Sequence, residues 1–494
     1  MASCRGCGRM ASMVIPNGVA DLFAELVDIV GADGVHVGTF NRALYRSDAG
    51  PLNAEPLGVC LPGKSEEVER VVGACARRGV AMTPRGAGTG LAGGTVPLHR
   101  TLVVSLARMD RVTELDVEAG TALIEPGVVN SDLDAMVAPH GLRFAPDPSS
   151  QVACTLGGNV ATNAGGAHCL AYGVTSAHVL ELDLVDVHGR RHRLDGPAHE
   201  HDGYDLRGVT VGSEGTIGFV TSARLRLQPS PDAIRTVLAA FPSVRTAAES
   251  VADIVAEGAG PAALELMDKE AVRCVEPYAR AGYPLDAGAV LLAEFEGPEG
   301  AVEHGLGIAL AAVARHGSAD PTIARTEDER ARLWKGRKAI GGAVAGVAPD
   351  YYLHDVVVPR SRLADVLEEV GRIATDEQVT IVNAVHAGDG NLHPIIAFDR
   401  RDREEVARTL RAGERIVEVA IANGGVVSGE HGIGLEKQAF LCEDGIMTAE
   451  DRAFQARLRD ALDDLGLANP GKVLPAPATC AEAQHTLVPE GAWI

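Results

Sequence analysis

Two histidines bracket a tight turn in His386-Ala-Gly-Asp-Gly-Asn-Leu-His393, and Ser428-Gly-Glu-His-Gly432 follows further along the chain. Two imidazoles and the Glu430 carboxylate make a three-ligand set for a divalent cation, and three protein ligands leave coordination positions for a substrate. Zinc, manganese and iron suit such ligands about equally. A lone histidine is more often a structural polar residue, so the weight lies on His386, His393, Glu430 and His431 occurring together in glycine-rich turns. His431 directly follows Glu430 and need not share its role; an imidazole titrating near neutrality suits a general base. Upstream, Arg332, Lys335, Arg337 and Lys338 surround Trp334 on one expected helix. Such a charge run is ordinarily a solvated face. Asn391, inside the first motif, is a candidate polar contact to a substrate.

Three glycine-rich segments lie in the N-terminal half. In Pro84-Arg-Gly-Ala-Gly-Thr-Gly-Leu-Ala-Gly-Gly94 successive backbone N–H groups are free to converge on an anion, with Arg85 adding positive charge. Gly88, Gly90 and Gly93 spell GxGxxG, but the dinucleotide fold that uses this spacing needs a helix to begin at the loop. Pro97 and an expected strand over 101–106 leave no room for one. Pro146-Asp-Pro-Ser-Ser-Gln151 and Thr155-Leu-Gly-Gly-Asn-Val-Ala-Thr-Asn-Ala-Gly-Gly166 alternate hydroxyls, amides and glycines, which suits the lining of a flat polar cofactor. Gly212-Ser-Glu-Gly-Thr-Ile217 is a tight turn entering a strand, and Val211 excludes the GxSxG elbow of serine hydrolases.

The elements that must position these groups show in the periodicity. Val19, Leu22, Phe23, Leu26, Ile29 and Val30 mark an amphipathic helix within 16–36. Ser65 as N-cap, Glu66 and Glu67 in the first turn and Gly79 at the end frame a second helix, which feeds a short strand over 80–83 into the first glycine loop. Strands are expected over 101–106, 121–125 and 219–227, with a hairpin of 180–187 and 191–194 around His188-Gly189-Arg190. The Pro-containing stretch 228–232 is the expected domain boundary. Beyond it, helices over 244–257, 329–344, 360–374 and 403–423 alternate with strands at 290–294 and 380–385. The last strand delivers His386 at its end, and Gly388-Asp-Gly390 turns the chain so that His393 returns to the same side. A helical segment from about 440 ends in Asn469-Pro-Gly-Lys472.

At 494 residues two to three domains are expected, and a net charge of −22 argues against binding nucleic acid or anionic lipid. No apolar run is long enough to span a membrane, and no secretory signal is evident. Nine cysteines without dense spacing suggest reduced thiols in a cytosol, and the Cys4-Arg-Gly-Cys7 pair lacks the second pair of a zinc knuckle. Met10 or Met13 is a possible alternative start. No cysteine cluster suits an iron–sulfur centre, so electrons taken up by the chain must leave to another protein, a quinone or oxygen.

In their order, the three glycine-rich segments resemble the FAD-binding domain of the PCMH/vanillyl-alcohol oxidase flavoprotein superfamily. Over roughly residues 40–475 the chain resembles the branch containing the glycolate oxidase flavoprotein subunit, D-lactate dehydrogenase and D-2-hydroxyglutarate dehydrogenase. The resemblance implies an α+β architecture: a tail and helix over 1–39, a two-lobed PCMH-type FAD-binding domain over 40–229, an α+β substrate (cap) domain with an antiparallel sheet over 230–440, and a C-terminal segment, 441–494, returning to the FAD domain. It implies FAD contacts from Pro84, Arg85, Gly86, Ala87, Gly88, Thr89, Gly90 and Leu91 in the first loop. The second region supplies Pro148, Ser149, Thr155, Gly158, Asn159, Thr162, Asn163, Gly166 and Gly173, and the rest come from Glu214, Gly215, Ile217 and Asn469. The branch holds FAD non-covalently, so no covalent link is expected at His168, which lies near the flavin by this mapping. A divalent metal at His386, His393 and Glu430 is implied, and Arg337 matches an arginine that clamps a substrate carboxylate bidentately. Oxidising an alcohol requires loss of the O–H proton while the C–H hydride leaves to flavin N5. A Lewis-acidic metal lowers the hydroxyl pKa, and His431 is the implied proton acceptor. Related glycolate oxidase subunits work beside an iron–sulfur protein. The expected location is cytoplasmic, peripheral to a membrane only through an electron-accepting partner.

Departures narrow the substrate. The 2-hydroxyglutarate members carry a lysine in the strand before Asp355 for the second carboxylate, and a polar amide after the second histidine. Here the segments read Tyr351-Tyr-Leu-His-Asp355 and His393-Pro-Ile395. The expected substrate is a small 2-hydroxy monocarboxylate such as glycolate or D-lactate, with D-2-hydroxyglutarate the alternative. A non-catalytic flavoprotein subunit has no use for the His386, His393, Glu430 and His431 set, and a metal-dependent hydrolase leaves the glycine-rich half idle.

Overall fold

Alternation of apolar and polar residues over Phe219–Arg226 yields a strand buried at every second position. In the computed structural model, which describes residues 19–196, 203–442 and 446–475, this strand is the middle of a five-stranded antiparallel sheet. Its order is Val112–Asp116, Thr121–Ile124, Phe219–Arg226, Val179–Val185 and Arg191–Asp195, the last two being the expected hairpin. A four-stranded sheet ordered Val35–His36, Gly58–Cys60, Leu102–Ser105 and Met82–Arg85 lies beside it, its last three strands parallel. Helices Val19–Val30 and Ser65–Arg77 bury Leu22, Leu26, Val68 and Val72 in its core. The second helix is capped differently from expectation: Lys64 holds the N-cap position without a side-chain bond, and Glu67 instead accepts from Gly63 N–H at 2.7 Å. The strand entering the first glycine loop is Met82–Arg85, two residues later than expected, and no helix starts at the loop; a single tight turn at Leu98–Arg100 leads to the next strand.

The C-terminal half is built on an eight-stranded antiparallel sheet. Its order is Thr322–Ala324, Ala233–Phe241, Ala289–Gly297, Ala263–Asp268, Thr380–His386, Asn391–Phe398 and Asp350–Leu353, with Val356–Val357 also paired to Asn391–Phe398. Helices Val244–Ala256, Glu299–Arg315, Leu363–Asp376 and Arg403–Ala422 bury one face. Lys269–Ala279, Glu327–Lys338 and Ile340–Val344 pack on the other. The helix expected over 329–344 is thus two, broken at Ala339, and the first is anchored by a reciprocal Thr326–Glu329 cap. After helix Ala449–Leu462 the chain returns to the N-terminal half, where Asn469 N–H bonds Met82 O and Met82 N–H bonds Leu467 O, both at 2.8 Å.

The Cys4–Cys7 pair and both alternative starts lie outside the described residues. Cys60, Cys75, Cys154, Cys169 and Cys274 are free thiols, whereas Cys442 is disulfide-bonded, against the expectation of reduced thiols. Among the described residues no helix is long and apolar enough to cross a membrane.

Candidate active site

The Gly388-Asp-Gly390 turn joins strands Thr380–His386 and Asn391–Phe398 as a hairpin pairing His386 with Asn391 and Ala384 with His393. Side chains two residues apart share a face, so both imidazoles emerge on one side, rings perpendicular and centroids 5.0 Å apart. Gly390 is required here: its φ is +74°, and a Cβ would strike the Val358 carbonyl. Glu430 Oε1 lies 3.2 Å from His386 Nε2 and 3.4 Å from His393 Nε2. His386 engages Glu265 through Nδ1 at 2.6 Å, which leaves Nε2 for a cation, and His393 Nε2 has no hydrogen-bond partner. Ligand atoms of His386, His393 and Glu430 all lie within 4.8 Å of one another, a donor set that fits a divalent ion. Burial opposes the charging of His386, yet Glu265 and Glu430 push it up to about 10. Burial likewise opposes ionisation of Glu430, but His386 and the neighbouring imidazoles hold it down at about 2. A bound cation would take the place of that proton.

His431 falls outside this ligand group and stacks on His393, centroids 4.8 Å apart at 29°. Burial pushes it down to about 4 against the pull of Asp355, so the ring is neutral and able to accept a proton. The charge run on helix Glu327–Lys338 divides: Arg332 and Lys335 are exposed while Arg337 is buried. Arg337 ion-pairs through Nε with Glu265 Oε2 at 2.7 Å, and its Nη2 has no hydrogen-bond partner.

A cavity of about 530 Å³ runs between the two halves. Its walls include the whole Pro84–Leu91 loop, Pro148, Ser149, Thr155, Gly158, Asn159, Thr162, Glu214 and Gly215, and opposite them Arg337, His393, Glu430 and His431. Beside Gly90 the space is open: a methyl group placed on its Cα would have Asp48 Oδ2, at 4.0 Å, as its nearest neighbour, so backbone there can approach a ligand closely. The loops fit a long polar cofactor in volume and in donor chemistry.

Several expected cofactor contacts lie off these walls and shape them instead. Asn163, in left-handed conformation, ends helix Leu156–Thr162 and accepts from Ser176 N–H at 2.8 Å. Gly166 lies against Asp147 with no space for a Cβ, Gly173 ends a short helix with φ +76°, and Ile217 is core. Asn469 Nδ2 donates to the carbonyls of Gly94 and Glu214 at 2.9 and 2.7 Å. Asn391 is also off the wall; its amide backs the 428–432 loop at Gly429. Arg85 stays on the wall with its loop, and its guanidinium also donates to Ser47 O at 2.7 Å, lies over Tyr45 and sits against Gly88. The His168 ring has both nitrogens occupied, by Asp147 at 2.8 Å and Glu294 at 3.0 Å. Two acids with direct roles in this geometry were not singled out by sequence reasoning, Glu265 and Asp355, both fully buried. A charge inside the apolar run Leu264-Glu-Leu-Met267 is the signal for the first, since unpaired acids are almost never fully buried.

Residues 56–195 match the family described as FAD binding domain, and residues 230–473 that described as FAD linked oxidases, C-terminal domain. Over 427 residues the chain is 41% identical to glycolate oxidase subunit GlcD of Escherichia coli (strain K12), covering 86% of this chain and 85% of that one. The chain belongs to the FAD-linked oxidase family. This FAD-linked oxidase is also 33% identical to a probable mitochondrial D-lactate dehydrogenase of Danio rerio, covering 92% of each chain. Its fold is shared with substrate-bound p-cresol methylhydroxylase, at a TM-score of 0.78 and 15% identity over 92% of this chain and 97% of that one. It is an FAD-linked oxidoreductase of the PCMH/vanillyl-alcohol oxidase superfamily, as the glycine-rich segments led one to expect.

Proposed function

We propose that this FAD-linked oxidase converts a small 2-hydroxy monocarboxylate, of the glycolate or D-lactate kind, to the 2-oxo acid. The observation that carries the reading is the meeting of His431, Glu430, His393 and Arg337 with the glycine-rich loops around one cavity. Arg337 binds the substrate carboxylate, for which its buried, unpartnered Nη2 is the available donor. Neutral His431 accepts the hydroxyl proton. Bound FAD supplies the hydride acceptor, and a divalent ion (zinc, manganese or iron) on His386, His393 and Glu430 supplies Lewis acidity. Tyr351 and Leu353, from the strand before Asp355, and Ile395, beyond His393, line the cavity and offer no charge to a second carboxylate. The names of the relatives, glycolate oxidase subunit and D-lactate dehydrogenase, support the same substrate class. Electrons then pass to an external acceptor, an iron–sulfur protein or a quinone.

The test is the visible spectrum of the purified flavoprotein under anaerobic conditions, with glycolate, D-lactate, L-lactate and D-2-hydroxyglutarate added in turn. Bleaching by glycolate or D-lactate is expected. Bleaching by D-2-hydroxyglutarate alone overturns the monocarboxylate assignment, and bleaching by none overturns the reaction.

A further inference from the structure

Glu265 lies on the inner strand Ala263–Asp268 and is the register partner of His386 on the neighbouring strand, which in turn pairs with Asn391. It is fully buried, and its two oxygens serve different groups. Oε1 is 2.6 Å from His386 Nδ1, and Oε2 is 2.7 Å from Arg337 Nε. A carboxylate facing Nδ1 holds the Nδ1–H and leaves Nε2 facing Glu430 Oε1 at 3.2 Å, where a shared cation would replace the proton between them. The same carboxylate ion-pairs with the Nε edge of the guanidinium without a hydrogen bond, and Nη2, also without a hydrogen-bond partner, belongs to a residue that lines the cavity.

We propose that Glu265 is a positioning residue that sets the spacing between the cation site and the carboxylate clamp through one shared side chain. This rests on the hydroxy-acid reading above and deepens it. Glutamine cannot replace the side chain. Its amide offers no charge to Arg337, and turning its NH2 towards the imidazole sets donor against donor.

The test uses the flavin-loaded full chain carrying Glu265→Gln, stripped of metal by chelator and titrated with Zn2+ or Mn2+ alone, together with steady-state kinetics on the 2-hydroxy acid. Metal affinity is expected to fall about ten- to a hundredfold, and KM to rise about tenfold, the scale of one charge-assisted contact. In an Arg337→Met background the KM effect of Glu265→Gln disappears while the loss of metal affinity remains, a split that general loosening of the fold does not produce. Glu265→Asp recovers part of both effects and carries the same test if the glutamine variant fails to fold. Unaltered metal affinity, unaltered KM, or a KM effect that adds fully to that of Arg337→Met overturns the proposal. An unsubstituted protein that binds neither ion overturns both this proposal and the metal reading. One that binds metal as described but is not bleached by any 2-hydroxy acid overturns the reaction and leaves the Glu265–His386 coupling standing.

Discussion

The Lys437 ammonium lies 3.0 Å from Asp355 Oδ2, with both side chains buried. That same oxygen accepts from the backbone N–H groups of Gly429, Glu430 and His431 at 3.0, 3.2 and 3.0 Å and from the Ser428 hydroxyl at 2.7 Å. The loop that presents Glu430 and His431 is therefore wrapped around one carboxylate. Burial opposes ionisation of Asp355, and Lys437 overcomes it, holding the group well below the usual carboxylate range. Lys437→Met leaves that charge without its cation, and breaking a buried pair from one side costs about 3–5 kcal/mol. Urea denaturation should show a loss of this size together with reduced metal retention. An unchanged midpoint means that the loop N–H groups alone neutralise Asp355.

His431→Ala removes the group read as the proton acceptor while leaving the cavity's glycine loops untouched. Anaerobic stopped-flow reduction of the flavin should slow by about 10²–10⁴-fold, the usual worth of a general base. The flavin should remain bound at full stoichiometry. Reduction at the original rate removes His431 from the mechanism.

Glu430→Gln should lower metal content and flavin reduction together, because Glu430 Oε1 is the oxygen that lies within 3.4 Å of both imidazoles. Dialysis of the unsubstituted protein against a chelator should do the same reversibly, with activity restored by one added equivalent of zinc, manganese or iron and no change in the flavin spectrum. Metal content that survives the substitution takes Glu430 out of the ligand set.

What the sequence makes legible here is local chemistry. Gly388-Asp-Gly390 declares its hairpin because the turn's conformational demand falls on glycine itself. The glycine runs declare a cavity wall for the same reason. Glu265 and Asp355 stay hidden because their partners come from distant segments. The strands that carry Glu265 and His393 are buried on both faces, which erases the period-two alternation that marks a half-exposed strand. Arg85 is legible only in part: its type and loop suggest a phosphate ligand, while its contacts with Tyr45 and Ser47, remote in sequence, are not foreshadowed. The break at Ala339 has only Gly341 and Gly342 as a local hint, and it matters because it ends the helix directly after Arg337 and Lys338.

His168 sits in a buried ionic seam between the two halves. Asp147 and Glu294 flank its ring, Glu294 also takes Arg330 at 2.8 Å and Trp334 Nε1 at 2.6 Å, and Glu296 takes Arg143 at 2.6 Å and Tyr172 at 2.8 Å. Burial disfavours the imidazolium, but Asp147 and Glu294 outweigh it and push His168 up to about 10. In the unfolded chain histidine titrates at about 6.5. A value raised on folding contributes stability that is complete below the unfolded value and is lost as pH rises through the folded one. The melting temperature should therefore fall across the window from about 6.5 to 10. His168→Gln, with no charge to lose, should start roughly 3 kcal/mol less stable at the acid end and converge with the unsubstituted protein at the alkaline end. Lys472, pushed down to about 8 by burial, titrates in the same window, but it is common to both proteins and cancels in the difference. Two melting curves that stay parallel across the window would show that the seam holds the halves together without a charged His168.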